Sequence, residues 1–296
     1  MVKPGGRWRV GLLATAGCGR LDSIPYRPPQ TPDSWLRLQP YTDLTIGSHH
    51  LVLVQPSSTV FVYLLGLLAA GIGLTCLRGR EQHPAMRWWG IALLLWGLGA
   101  LLAGTSYQAF SYEIKCAGRA FCSWTSWWEV TYLVLSVASV SAVMVAVAHA
   151  CTTGRWRRAL SRYALVMLAL YAGVVLVGAL VPVPFLISFE LMILVAAPGM
   201  LALVVLNGWR YYQFRGGLDL ALLVTWAGLG ATLGAYYLYL ILDLSGSLWA
   251  HGIWFTENDV LHIGLIVWMI HIATRVVPRM GDAPTPVRAG PGADTA

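Results

Sequence analysis

The chain has 296 residues, of which 57% are hydrophobic and only 11% are charged, whereas about 25% of the residues of an ordinary soluble domain are charged. So few charges cannot cover the surface of a water-soluble globule. The composition therefore argues against a soluble enzyme or a nucleic-acid-binding module and indicates an integral membrane protein.

Residues 1–57 precede the first apolar span, and we expect them to form an extramembrane, largely irregular segment. Within them Lys3, Arg7 and Arg9 precede a short apolar run that leads to Cys18. This order resembles a bacterial lipoprotein signal, in which the cysteine is acylated outside the membrane. The resemblance implies acylation of Cys18 and a location in the inner (plasma) membrane of a bacterium, and a plain disordered leader is the alternative.

Seven apolar stretches follow, each close to the 20 or so residues that a helix needs to cross a bilayer. Backbone polar groups in lipid must be hydrogen-bonded within their own segment, and these stretches do not alternate as barrel strands do. We therefore predict an all-α bundle of seven transmembrane helices within residues 58–280. The predicted spans are residues 58–77, 86–104, 128–150, 163–181, 184–208, 218–244 and 258–277.

Arginines lie at every second connection between the spans. They are Arg78, Arg80, Arg87, Arg155, Arg157, Arg158, Arg162, Arg210, Arg215, Arg275 and Arg279. The other connections carry only Lys115 and Arg119, so the positive-inside rule places the N-terminus outside and the C-terminus in the cytoplasm. Residues 281–296 would then form a disordered cytoplasmic tail. Because these arginines account for much of the net charge of +7, the basic composition does not indicate a nucleic-acid partner.

Two of the five cysteines, Cys116 and Cys122, lie in the predicted outer connection between the second and third spans. An oxidising exterior would favour a disulfide between them. Two free thiols remain the alternative, because spacing does not fix pairing.

Polar side chains within the spans gather toward the predicted outer side. They are Ser106 and Gln108 at the end of span 2, Glu129 at the start of span 3, Glu190 in span 5, and Asn258, Asp259 and His262 at the start of span 7. Ionisable groups at membrane depth are costly and are functional candidates. We therefore expect an outward-facing polar chamber that binds a small or lipid-like ligand, with Ser106, Gln108, Glu190 and Asn258 as ligand-binding residues. Capping of helix starts is the alternative for the acidic residues.

Three short stretches resemble the CREST superfamily of seven-helix intramembrane hydrolases and receptors, which includes alkaline ceramidases and adiponectin receptors. They are GTSYQAF at residues 104–110, WWE at 127–129 and ENDVLH at 257–262. In that superfamily a Ser and a His of helix 2, an Asp of helix 3 and two His of helix 7 hold zinc and an activated water. Here Gln108 stands in place of the His of helix 2, and Glu129 stands in place of the Asp. Asn258 stands in place of the first His of helix 7, so that of the three histidines only His262 remains.

The resemblance implies a diverged member. The alternative function is a metal-dependent intramembrane hydrolase of a lipid amide or ester, with His262 as base or metal ligand, Asp259 orienting it and Glu129 completing the site. Amide oxygens are poor zinc ligands, so we expect no cofactor, with zinc at His262 as the alternative. A structural or assembly component whose polar residues only cap and pack is the third interpretation. Beyond the bilayer and a lipid-like ligand, the sequence names no partner.

Overall fold

The computed structural model describes residues 18–78 and 83–281. Within these ranges seven helices are long and apolar enough to cross a membrane. They are α1 (Pro56–Arg78), α2 (Pro84–Ala109), α3 (Trp127–Cys151), α4 (Gly154–Leu180), α5 (Phe189–Phe214), α6 (Gly217–Ile241) and α7 (Glu257–Met280). The protein is therefore a multi-pass, all-α membrane bundle, which confirms the predicted class. The direction in which it crosses the membrane stays a prediction.

Several helix boundaries differ from the prediction, among them the starts of α4 and α5. α4 begins at Gly154 rather than at residue 163, because the arginine-rich stretch continues the helix instead of forming a loop. α5 begins at Phe189 rather than at residue 184, since Pro184–Ile187 forms a separate 3-10 turn. Ser188 then caps α5, because its side chain accepts a hydrogen bond of 3.2 Å from the backbone N–H of Leu191.

The seven helices are arranged as a ring with one helix outside it. α1 packs on α2, α2 on α3, α3 on α5, α5 on α6, α6 on α7, and α7 packs back on α1. α4 lies outside this ring, packed mainly on α3. Across the ring, Trp96 of α2 and Trp268 of α7 lie with their ring centroids 5.1 Å apart.

The last turn of α2 is a π-helical turn, Gly104–Ala109, a local distortion that is frequent at functional sites. A methyl group at Gly104 would clash with Val62 of α1. The glycine therefore lets the two helices approach closely where the π turn begins.

The residues before α1 are less irregular than expected. Pro32–Leu36 forms a single helical turn, and β1 (Tyr41–Ile46) pairs with β2 (His49–Val54) in an antiparallel hairpin. Gly47 in the connection has a φ of +64°, in the left-handed region that glycine tolerates. The predicted lipidation at Cys18 is not tested, because nothing is described of that side chain or of residues 1–17. The predicted C-terminal tail, apart from Gly281, likewise lies outside the described residues.

The N-terminal segment packs on the connection between α2 and α3, and we call residues 21–55 together with residues 110–126 the cap. Trp124 donates a backbone hydrogen bond of 2.8 Å to Ile24, and Cys122 donates one of 2.8 Å to Gln30. The structure joins Cys116 and Cys122 in a disulfide. Both cysteines lie in a small apolar core of the cap together with Trp35 and Val54. The cap covers the end of the bundle where α1, α3, α5 and α7 begin, which we call the cap end.

Candidate functional site

A buried ion pair joins the cap to α3. The Nζ of Lys115 lies 2.6 Å from Oε1 of Glu129, and the two side chains are only 4% and 2% exposed. The ammonium group also donates to the hydroxyl of Tyr26 at 3.2 Å and to the carbonyl of Trp124 at 3.4 Å. These three contacts use all the donors that a lysine has.

The electrostatic surroundings keep Lys115 protonated. Burial by itself would lower the pKa of Lys115, but the Glu129 carboxylate and the Tyr26 hydroxyl raise it above its ordinary value. The backbone of Lys115 is fixed in turn, because its carbonyl accepts a 2.9 Å hydrogen bond from the N–H of Ser123. The next residue, Cys116, is held by the disulfide.

Glu129 lies in the first turn of α3, where a carboxylate is favoured by the helix dipole. The hydroxyls of Thr125 and Ser106 are near enough to the Glu129 carboxylate to act on it. Ser106 is fully buried and belongs to the π turn of α2. The predicted residues Ser106 and Glu129 are therefore neighbours.

Two buried polar atoms near this ion pair have no partner. Among the described residues, no hydrogen bond reaches the Oε1 of Gln108 or the Oγ of Ser126. A buried polar group without a partner costs on the order of 1–3 kcal/mol. Gln108 lies on the π turn of α2 and Ser126 directly precedes α3, so two neighbouring helix ends bring these groups to the cap end.

Glu190 lies in the first turn of α5, at the cap end, and its side chain is exposed. Tyr107 stacks edge-to-face on Tyr132 at 6.1 Å. We call this group of side chains the cap-end cluster. It consists of Ser106, Tyr107, Gln108, Lys115, Ser126, Glu129, Tyr132 and Glu190.

The predicted residues at the start of α7 belong to a different network. The buried carboxylate of Asp259 accepts hydrogen bonds from Ser57 at 3.0 Å, from Ser58 at 2.9 Å and from the backbone N–H of Thr256 at 2.6 Å. Thr256 and Asp259 form a reciprocal capping box. We call Ser57, Ser58, Thr256 and Asp259, together with the pair Gln55 and Asn258, the α1–α7 clasp.

Asn258 completes the clasp. Its Nδ2 donates a 3.1 Å hydrogen bond to Oε1 of Gln55, which directly precedes α1. The interpretation as a helix cap describes the contact of Asp259 with Thr256, whereas Asn258 contacts Gln55 before α1. Ser106, Glu129 and Glu190 lie in the cap-end cluster.

His262 is buried, and over the described parts of the chain its Nδ1 has no hydrogen-bond partner. The expected contact with Asp259 is not formed, because the hydrogen bonds of that carboxylate go to α1 and to the start of α7. Glu129 is paired with Lys115. The three predicted catalytic side chains thus lie in separate surroundings. Within residues 18–78 and 83–281, no three His, Cys, Asp or Glu side chains form a group suited to a metal ion.

A second ion pair, which the sequence analysis missed, lies at the opposite end of the bundle, where Asp219 is buried and Arg210 is half-buried. The Nε of Arg210 in α5 donates to Oδ1 of Asp219 in α6 at 2.9 Å, and Asn207 donates to the same oxygen at 3.3 Å. Arg210 also donates to the carbonyl of Cys151 at 2.8 Å, and Trp226 donates to Asn207 at 3.0 Å. We call these five residues the Asp219 network. An asparagine and an aspartate in otherwise apolar spans were the signal for it.

An apolar groove runs between α4 and α5. It encloses about 290 Å³ and is lined by Tyr163, Val166, Met167, Leu170, Tyr171, Val174, Leu191 and Val195. Tyr171 is buried, and its hydroxyl has no hydrogen-bond partner in the part of the chain that the structure describes. Leu191, which lines this groove, directly follows Glu190 of the cap-end cluster.

Comparison with known proteins gives one match. Residues 58–280, which include all seven helices apart from their outermost residues, match the model of a family of unknown function (DUF6962). No curated protein and no solved structure matches the chain significantly. The resemblance to the CREST superfamily therefore stays a prediction.

Proposed function

Since the chain belongs to DUF6962, a family of unknown function, we propose a function from its own residues: it binds a small, lipid-like ligand at the cap end without transforming it. The observation that carries this proposal is the pair of buried polar atoms that have no partner among the described residues, the Oε1 of Gln108 and the Oγ of Ser126. They lie on the two helix ends that flank the Lys115–Glu129 pair. A ligand with hydroxyl, ester or amide groups would supply their missing hydrogen bonds.

In this proposal the cap end faces the exterior. The disulfide between Cys116 and Cys122 supports this orientation, because disulfides persist in oxidising surroundings. The first turns of α4 support it from the other end of the bundle, where Arg155, Arg157 and Arg158 lie. The positive-inside rule places such arginines in the cytoplasm.

The contacts favour binding over hydrolysis. Hydrolysis by His262, Asp259 and Glu129 would require three side chains to face one substrate. Asp259 is instead held by hydroxyls of α1, and Glu129 is held by Lys115. Both carboxylates thus already have hydrogen-bonded partners within the protein.

The groove between α4 and α5 favours a ligand with an apolar chain. Val166 and Leu170 of its wall are 54% and 66% exposed, so the groove is open toward the membrane. Because Leu191 of the groove follows Glu190 of the cap-end cluster, one amphiphilic molecule can contact both.

Native mass spectrometry tests the proposal. The protein, purified in a mild detergent, is titrated with the total lipid extract of the expressing cells, and we expect one lipid-sized mass to be retained per chain. Gln108→Met and Ser126→Ala should each weaken retention about three- to tenfold, as expected when one ligand hydrogen bond is lost.

Ser141→Ala is the matched control. Ser141 is also buried, and its Oγ has no partner among the described residues, but it lies in the second half of α3, away from the cap. The control should retain lipid as the unsubstituted protein does. The proposal is wrong if no lipid mass is retained, or if the three variants retain lipid equally well.

A further inference from the structure

The first turns of α4 carry a row of exposed arginines. Arg155, Arg158 and Arg162 are exposed, whereas Arg157 is half-buried. At about 100° per residue, the three exposed arginines lie within an arc of about 60°, and Arg157 lies on the opposite side of the helix. We call Arg155, Arg158 and Arg162 the α4 arginine face. Because α4 continues through this stretch, the three charges are held on one side of a helix and are not dispersed in a loop.

No carboxylate neutralises the α4 arginine face in the parts of the chain that the structure describes. Its three side chains take part in none of the ion pairs found there. The only described carboxylate at this end of the bundle belongs to Asp219, which accepts hydrogen bonds from Arg210 and Asn207. Like charges on neighbouring turns of a helix repel one another, so an anion that lies among the three guanidinium groups is bound favourably.

The length of α4 places this face among the lipid headgroups. The 27 residues of α4 span about 40 Å at about 1.5 Å per residue, whereas the hydrocarbon core of a membrane is about 30 Å thick. The other end of α4, which closes at Leu180, is apolar, so the excess of about 10 Å falls on the arginine end. Trp156 in the same turn is 64% exposed, and tryptophan is enriched at the membrane–water interface.

Beyond the arginines, the same side of α4 becomes apolar. Leu165 and Val166 follow Arg162 by three and four residues, so they are its neighbours on the helix surface. Both side chains are exposed. A molecule on this side of α4 therefore meets positive charge at the depth of the headgroups and apolar surface deeper in the membrane.

We propose that the α4 arginine face binds the phosphate headgroup of an anionic phospholipid, whose acyl chain lies against Leu165 and Val166. Guanidinium groups donate two parallel hydrogen bonds to phosphate oxygens, and the net negative charge of the lipid complements the charge of the face. This site lies at the opposite end of the bundle from the cap-end cluster. Because the face is exposed, its lipid exchanges with detergent and is bound only while it is supplied in solution.

Two phospholipids with the same acyl chains test the headgroup. Dioleoyl phosphatidylglycerol carries one net negative charge, whereas in dioleoyl phosphatidylcholine the choline group neutralises the phosphate. The protein in a mild detergent is titrated with each lipid in native mass spectrometry. We expect phosphatidylglycerol to bind at least about tenfold more tightly, because each arginine at a membrane surface adds to the attraction for an anionic lipid. Equal affinities would overturn the proposal.

Arg158→Gln and Arg157→Gln form a matched pair, since each removes one charge from the same turn of α4. Arg158→Gln should weaken phosphatidylglycerol binding about fivefold, whereas Arg157→Gln, on the opposite side of the helix, should leave it almost unchanged. Equal losses would mean attraction to the whole basic end of the bundle and would overturn the assignment to this face. If Arg158→Gln does not yield folded protein, Arg158→Lys and Arg157→Lys make the same comparison without changing the charge, and only the first should weaken binding.

Two further measurements separate this lipid from other ligands. Gln108→Met, which weakens retention at the cap end, should leave the affinity for added phosphatidylglycerol unchanged, and a loss there would mean that the lipid binds at the cap end. An excess of inorganic phosphate should not displace the lipid, because phosphate lacks the acyl chain that contacts Leu165 and Val166. Displacement would assign the α4 arginine face to a soluble phosphate instead and would overturn the proposal.

Discussion

The cap-end cluster and the Asp219 network each hold an ion pair with a buried carboxylate, but they differ in how completely their polar atoms are paired. In the Asp219 network, Asn207, Arg210 and Trp226 all donate to partners within the network, and none of its buried side-chain nitrogens and oxygens lacks a partner in the described ranges. In the cap-end cluster, Lys115 is fully paired, whereas Gln108 and Ser126 each keep a buried oxygen that has no partner among the described residues.

This difference shows that a buried ion pair alone does not mark a binding site, because a protein can enclose one for structural reasons. Hydrogen bonds that are missing beside the pair are the more informative feature. The Asp219 network is therefore assigned to holding α3, α5 and α6 together, and the cap-end cluster is assigned to a ligand.

The largest expected effect comes from separating the buried charges of the cap-end cluster. Glu129→Gln or Lys115→Met leaves an uncompensated buried charge, so either substitution should destabilise the protein by about 3–5 kcal/mol. The double variant removes both charges and should be more stable than either single variant. Thermal unfolding in a mild detergent measures all three. A double variant as unstable as the worse single variant would contradict the assignment of the pair.

A smaller loss is expected in the Asp219 network. Asp219→Asn removes charge-assisted hydrogen bonds from Arg210, which is 27% exposed and can reach water, so we expect a loss of about 1–2 kcal/mol after allowing for that exposure. Lipid retention should be unchanged. If Asp219→Asn loses lipid retention but keeps normal thermal stability, the structural role assigned to the Asp219 network is wrong.

The pH dependence of the Lys115 contribution should appear only in alkaline solution. The pKa of Lys115 is raised in the folded protein, so its stabilising effect is fully present below the unfolded-state pKa of about 10.4 and is lost as the pH rises through the higher folded-state pKa. The difference in unfolding temperature between the protein and the Lys115→Met, Glu129→Gln double variant should be constant from pH 7 to about pH 10. A difference that already shrinks near neutral pH would contradict the raised pKa.

The smallest expected changes in stability come from substituting two buried amide side chains, Gln108 and Asn207. Gln108→Met removes a buried oxygen without a partner and should leave stability unchanged or raise it by up to about 1 kcal/mol. Asn207→Leu removes an amide that donates to Asp219 and accepts from Trp226, and should lower stability by about 1–3 kcal/mol. Opposite signs are expected in the same thermal assay, and equal losses would remove the distinction between the two ends.

The seven spans could be predicted because long apolar stretches admit only helices in lipid. The boundary of α4 could not be placed from hydropathy, since Arg155, Arg157 and Arg158 are good helix formers at a membrane surface. The hairpin of the cap had a readable signal, the β-branched and apolar residues on both sides of Gly47. The prediction of an irregular segment was based on its Pro, Gly and Arg content instead.

The ion pair between Lys115 and Glu129 could not be predicted from sequence periodicity. Lys115 lies in the connection between two helices, and its position depends on the path of that connection through the disulfide and along residues 24–30. Ser106, Glu129 and Glu190 lie near the cap end of the bundle, and their role in binding stays a prediction. Whether the Asp259 carboxylate turns toward His262 or toward α1 depends on which hydroxyls α1 brings to it, and the sequence leaves that packing open.

The cap also sets an order of events during synthesis of the chain. Ile24 and Gln30 emerge from the ribosome before α1, yet their backbone carbonyls bond to Trp124 and Cys122, which follow α2. The N-terminal segment must therefore wait, on the side of the membrane where the cap forms, until two helices have been inserted and the connection after them arrives. In a nascent chain arrested before residue 122, the N-terminal segment has been synthesised, but its hydrogen bonds to Cys122 and Trp124 have not yet formed.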